Sequence, residues 1–378
     1  MTDRSIEGSL HPRGTAGGPA STRGRDYSLT GPEARRAVEI GLASAEWYHS
    51  DVPRKVMKDL MRRTDGPAIR DTVLWLVLLV GTGSAAVALW GSWWALPVFL
   101  VYGLLYASVA DSRWHECGHG TAFRTDWMND AVYHFTSFLL MRNPVNWRWS
   151  HARHHTDTII VGRDPEILLM RPPNILAKTL AFVGLPHVFL GFATLVRNAF
   201  GNLSPAERDY IPASEWPKAV FWARVHVAIY AATIGLAFAT WSILPLLLVG
   251  GPRLYGSWHV LMTAFLQHGG LAEDVPDHRL NTRTVYMNPV SRWIYWNMNY
   301  HVEHHIFPMV PYHALPRLHE LIKHDLPPAN PSIPQAYGEL LRALWRQRRE
   351  PDHYIRKSLP PGAQPYRDEF HSLDIRRA

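Results

Sequence analysis

The chain has 378 residues, a formal net charge of +7 and a single cysteine, Cys117. One cysteine excludes an intramolecular disulfide framework and any cysteine-built zinc or iron–sulfur site, so metal chemistry here must use nitrogen and oxygen donors. Sixteen Trp, 15 Tyr and 13 Phe, with several long apolar runs, point to a membrane protein; the basic residues border those runs without a nucleic-acid-binding motif, which excludes a nucleic-acid partner and fits a cytoplasmic membrane face.

Residues 1–36 are rich in Gly, Ser, Thr, Pro and Arg and lack an apolar core, so they read as a mobile tail and not as a signal peptide. Residues 37–71 read as a basic amphipathic interfacial segment. Within it, Pro53 opens a short helix that gathers Val56, Met57, Leu60 and Met61 on one side, with Arg54, Lys55, Lys58, Arg62 and Arg63 around them. That apolar side suits anionic lipid and suits packing on its own protein equally well.

A membrane domain is expected over 72–330. The stretches 72–90 and 93–110 are apolar and uncharged and flank Gly91 and Ser92, the pattern of a helical hairpin through the bilayer with interfacial Trp at its turn. The basic helix before it places the turn outside and returns the chain to the cytoplasm at Asp111, Arg113 and His115. Residues 111–171 alternate charge, His and aromatic side chains, too polar to cross lipid, and form a cytoplasmic cap. The run 175–196 is long enough to cross, but Lys178, Pro186, His187 and several glycines leave a bent or surface-lying course equally open. A second hairpin is expected over 220–241 and 243–266, where Gly250-Gly251-Pro252-Arg253 calls for a kink or a shortened return limb. That limb delivers Gln267 and His268 to the cytoplasm. Beyond the membrane domain, 331–356 reads as a C-terminal helical cap and 357–378 as a mobile tail. The expected architecture is an all-α integral membrane protein. Two transmembrane hairpins, three if 175–196 crosses, carry a cytoplasmic helical cap, and both termini are cytoplasmic.

Histidine carries the functional signal. His301, His304 and His305 stand at i, i+3, i+4, which places three imidazoles on one helix face, and His151, His154 and His155 repeat the spacing. His115 and His119 stand four apart. Chance gives roughly 0.07 such triplets in a chain with this histidine content, so two are a signal, whereas the isolated pair is weak. Eight imidazoles exceed what one tetrahedral or octahedral ion can use, which implies two metals. Glu116, Asp157, Asp164, Glu166, Glu273, Asp274 and Glu303 are available to accept the second ring N–H and fix the tautomers. His49, His134, His187, His226, His259, His278, His313, His319 and His324 read as packing residues, and His268 is intermediate. A metal transporter would carry ionisable residues within its spans, whereas these clusters sit at span ends and in the cap.

The boxes His-Glu-Cys-Gly-His, His-Ala-Arg-His-His and His-Val-Glu-His-His, in this order between hairpins, resemble the membrane fatty acid desaturase superfamily over roughly residues 74–323. The chain also resembles MocD-type hydrocarbon oxygenases. The His-Glu-x-x-His box and Gln267-His268-Gly269 look more distantly like alkane hydroxylases. The resemblance implies a pair of irons held by His115, His119, His151, His154, His155, His301, His304 and His305, with His268 as a ninth ligand. It implies O₂ as co-substrate and an acyl or hydrocarbon substrate, desaturated or hydroxylated. The sequence shows neither a haem motif nor a dinucleotide-binding fingerprint, so electrons are expected from a separate ferredoxin or similar protein.

Overall fold

The computed structural model describes residues 25–371. Among them no strand forms; the extended pairing consists of two isolated bridges, Thr284 with Tyr300 and Val285 with Asn330. Helices α1 (Pro32–Glu39) and α2 (Arg54–Leu60) precede the first long helix, α3 (Asp65–Ala88). Three helical stretches are long and apolar enough to cross a bilayer, Arg54–Ala88, Ala95–Gly118 and Ala213–Ala239. The apolar side chains of Val77, Val80, Leu236 and Phe238 are exposed on them, a surface that lipid stabilises and water does not.

The chain turns at Gly91, whose φ of +89° favours glycine, and re-enters as α4 (Ala95–Leu104). A π-helical turn over Leu105–Val109 joins α4 to α5 (Ala110–Gly118). One extra residue in that turn rotates the face of α5 relative to α4, and the indole of Trp75 donates to the Leu105 carbonyl at 2.9 Å. His115 and His119 follow directly.

The cap begins with α6 (Asp126–Leu139) and α7 (Pro144–Thr156). Asn143 caps α7 by accepting from the backbone N–H groups of Val145 and Asn146, and its amide donates to the Ala219 carbonyl, so the second histidine helix is fixed to the membrane domain. The run 175–196 is bent: α8 (Ile175–Phe182) and α9 (Leu185–Ala199) meet at 83°, the geometry of a broken span or of a re-entrant loop. Gly184 forms the corner at φ +66°, where a Cβ would stand 2.1 Å from the Arg253 carbonyl oxygen.

Helix α10 (Pro205–Tyr210) starts from a capping box of Ser204 and Glu207 and leads to the long α11 (Trp216–Ala239). The return limb is broken into α12 (Leu244–Leu248), α13 (Pro252–Gly256) and α14 (Trp258–His268), and the Gly-Gly-Pro run supplies one of the breaks. Helices α15 (His278–Asn281), α16 (Pro289–Ile294), α17 (His301–Ile306), α18 (Leu315–Ile322) and α19 (Ile333–Gln347) complete the cap.

Helix α2 packs on its own protein: Leu60 is buried, and Val56 and Met57 lie against the cluster of Val302, Ile306, Leu315, Leu318 and Ile322. Parts of the two segments expected to be tails, 25–36 and 357–371, make defined contacts. Residues 1–24 and 372–378 lie outside the described residues, but Arg25 pairs with Glu273 at 2.8 Å, and 357–371 pack on the cap. There the Arg367 N–H donates to Asp277, and the buried Arg279 donates to the carbonyls of Gln364 and Pro365. A buried Asp277–Arg279 pair needs those extra partners, which the composition of the tail does not reveal.

Candidate metal centre

Four helices converge where the spans meet the cap. Helix α5 carries His115 and is capped by His119, α7 carries His151, His154 and His155, α14 ends in His268, and α17 carries His301, His304 and His305. Two groups emerge with donor nitrogens within 4.8 Å of one another: His115, His119, His151, His155 and His304 in one, and His154, His268 and His305 in the other. His301 borders the second group, its Nε2 being 3.2 Å from that of His305 and its ring 5.1 Å from that of His268.

The hydrogen-bond network assigns the lone pairs. His151 gives its Nδ1 proton to Glu166 at 2.8 Å, so its Nε2 bears a lone pair; that Nε2 lies 3.0 Å from His119 Nε2 and 3.2 Å from His155 Nε2. His154 Nδ1 donates to Asp164 at 2.8 Å, and His268 Nδ1 donates to the Asn281 carbonyl at 2.8 Å. The Nε2 of His268 and both ring nitrogens of His304 are buried without a hydrogen-bond partner. Neutral nitrogens converging in this way repel unless a cation lies between them. Two nitrogens bound to one metal at ~2.1 Å and a right angle apart would stand about 3.0 Å from each other, so this donor set fits metal ions.

Electrostatics keep most rings in the ligating form. Burial, then neighbouring imidazoles, holds His151, His155, His301, His304 and His305 well below the usual histidine value, and lowers His119 to about 4. His154 is the exception: burial acts against its charge, but the adjacent Asp164 raises it.

The carboxylates divide between two tasks. Asp164 and Glu166 hold rings of α7, whereas Glu116 accepts from Thr121 and the Tyr312 backbone, and Asp157 pairs with Arg153 and Arg163. Glu273 meets Arg25, Tyr27 and Arg171, and Asp274 accepts from Val161 N. Glu303 lies beside Thr284 and His319 instead of a clustered ring. Of the five carboxylates Glu116, Asp157, Asp164, Glu273 and Glu303, only Asp164 has such a partner. Thr158 and the Asn281 carbonyl serve the clustered rings with no spacing signal in the sequence. His278, read as packing, stacks on Trp47 with ring centroids 4.3 Å apart and faces His305 at 5.0 Å.

A cavity of about 440 Å³ adjoins the centre. His115, His151, His154, His268 and His301 form one part of its wall, and Leu140, Ile167, Leu190, Val260, Leu261 and Phe265 form an apolar part. The volume is that of a small-molecule site.

The family model for fatty acid desaturases matches residues 91–337, which contain all nine histidines and this cavity wall. The chain belongs to the fatty acid desaturase family. It is therefore an oxidoreductase of lipid metabolism. Curated relatives include the sn-2 acyl-lipid omega-3 desaturase (ferredoxin), chloroplastic, of Helianthus annuus, 24% identical over 74% of this chain and 67% of the relative. Another is the omega-6 fatty acid desaturase, endoplasmic reticulum isozyme 1, of Glycine max, 25% identical over 69% of this chain and 71% of the relative. The acyl-lipid omega-3 desaturase (cytochrome b5), endoplasmic reticulum, of Arabidopsis thaliana is 24% identical over 71% and 72%.

Proposed function

We propose that this protein is a di-iron membrane desaturase that forms a carbon–carbon double bond in a lipid-like aliphatic chain, with O₂ as oxidant and a separate electron-transfer protein as reductant. The observation that carries the reading is the convergence of eight buried or half-buried histidines into two adjoining donor groups, with His301 bordering the second and ring nitrogens as little as 3.0–3.2 Å apart, beside a cavity. His115, His119, His151, His155 and His304 would hold one iron, and His154, His268, His301 and His305 the other.

When bound, the irons supply the reduction of O₂ and the removal of hydrogen from an unactivated C–H bond, chemistry that no side chain here can perform. Everything else falls to the protein. Asp164 and Glu166 hold the Nδ1 protons of His154 and His151, which keeps each Nε2 aimed inward. Val260, Leu261 and Phe265 on α14 present an apolar wall to the substrate, and His268 at the end of that helix ties the wall to the metal-binding group. Because α14 carries both, the reacting carbon and the metal share one rigid reference, as position selectivity requires.

A cytoplasmic centre is the orientation that the basic residues flanking the spans favour. A ferredoxin-like donor is favoured by the name of the Helianthus relative, and a cytochrome b5 by that of the Arabidopsis relative. Expression with a ferredoxin and its reductase, followed by mass spectrometry of extracted lipids, tests the reaction. A product lighter by two mass units is expected; a gain of sixteen would replace desaturation by hydroxylation.

A further inference from the structure

The cavity that touches the histidines has a second charged wall. Arg253 on α13 lines it together with Arg142, His187 and Thr194. Arg253 is only 3% exposed, yet its Nε and Nη1 atoms have no hydrogen-bond partner. A guanidinium stays protonated, so burying it unpaired is strongly unfavourable.

No carboxylate of the cavity forms an ion pair with Arg253; Asp111 favours its charge only from beyond hydrogen-bond range. Asp111 accepts from Arg142 at 3.1 Å, Glu166 accepts from Ser150 and His151, and Glu273 pairs with Arg25 and Arg171. The backbone around Arg253 is nevertheless built tightly. Its carbonyl accepts from Ser257 Oγ at 2.7 Å, and the same carbonyl fills the space in front of Gly184. The end of α13 touches the α4 span where a Cβ on Gly256 would lie 1.8 Å from the Gly103 carbonyl oxygen. A buried guanidinium that faces a cavity without an ion-pair partner calls for a polar or charged ligand.

We propose that Arg253 is an anion-binding residue of this cavity: it receives the oxyanion head, carboxylate or phosphate, of an amphiphile whose aliphatic part runs toward His151, His154 and His301. The direction of the aliphatic part rests on the desaturase reading; the binding of the head does not. One cavity reaching both walls makes Arg253 a ruler, because the held head fixes which carbon of the chain lies beside the metal-binding histidines.

Binding, measured without turnover, tests the site on the purified full chain in nanodiscs. The probes are stearate, methyl stearate and phosphatidylglycerol, and the variants are Arg253→Gln and Arg253→Lys. Arg253→Gln should weaken binding of stearate or of phosphatidylglycerol by about 10- to 100-fold, the scale of a hydrogen bond to a charged group, and leave methyl stearate unchanged. Arg253→Lys should recover part of the loss. Dependence confined to stearate assigns a free carboxylate, and dependence confined to phosphatidylglycerol assigns a membrane-lipid head; both support the site. Without added stearate or phosphatidylglycerol, the Arg253→Gln protein should melt no lower than the parent, because an unpaired buried charge is gone. Unchanged binding of both anions, or equal losses for stearate and its methyl ester, overturns the proposal. Arg253-dependent binding without a product lighter by two mass units would leave the site standing and remove the desaturase reading.

Discussion

The substitution Asp164→Asn isolates the hold on one ring. Both carboxylate oxygens of Asp164 only accept: Oδ2 takes His154 Nδ1 at 2.8 Å and Ile159 N at 2.8 Å, and Oδ1 takes Glu166 N at 2.8 Å. An asparagine offers one accepting oxygen and one donating amide, so at least one buried N–H must then face another donor. Loss of a hydrogen bond to a charged acceptor costs about 1.5–3 kcal/mol, and a buried donor left unsatisfied costs about 1–3 kcal/mol. If His154 turns in response, metal affinity should fall by about 10–100-fold, the usual effect of removing a ring's orienting partner. Asp157→Asn is the control. Asp157 is similarly buried, but it pairs with Arg153 and Arg163 and touches no clustered ring, so it should lower the melting temperature without weakening metal retention. Iron retained against a chelator, measured beside thermal unfolding, separates the two. Parental metal retention in Asp164→Asn, or equal loss in both variants, would refute the assignment of Asp164 as the holder of His154.

Other expectations follow from the same geometry. His304→Ala and His154→Ala should each lose iron and activity while the spans remain inserted, as read by metal analysis and membrane fractionation. His268→Ala should lower iron content and nearly abolish product, whereas His259→Ala, whose ring meets Ser291 at 3.2 Å outside the centre, should retain iron. Gly256→Ala forces a Cβ to 1.8 Å from the Gly103 carbonyl and should destabilise the protein by about 1–3 kcal/mol or more, visible as a lower melting temperature. An introduced cysteine at the exposed Ser92 should react with an impermeant reagent in intact cells, and one at Lys323 should react only after permeabilisation; the reverse would invert the topology. Cys117 is buried and gives little background.

The histidine spacing made the centre legible, because i, i+3, i+4 constrains a helix face wherever the helix sits. The choice among carboxylates was not legible in the same way. Asp164 and Glu166 reach rings because the loop after α7 folds back on that helix, whereas Glu303, within the third box itself, points to His319 and Thr284. Hydropathy located α3, the α4–α5 rod and α11, but not the bend between α8 and α9, which depends on Gly184 packing against a carbonyl 69 residues later. The Gly250-Gly251-Pro252-Arg253 run marked a break without showing that its arginine would line the cavity. The order of 357–371 rests on a buried ion pair whose remaining partners are tail carbonyls, a long-range dependence invisible to composition.

The most direct test of the central claim is iron stoichiometry paired with product mass on the same preparation, the full chain expressed with a ferredoxin and its reductase. The expected result is two irons per chain and a lipid product lighter by two mass units, both lost in His304→Ala. An active preparation that contains no iron, or one in which His304→Ala keeps both its iron and its product, would contradict it.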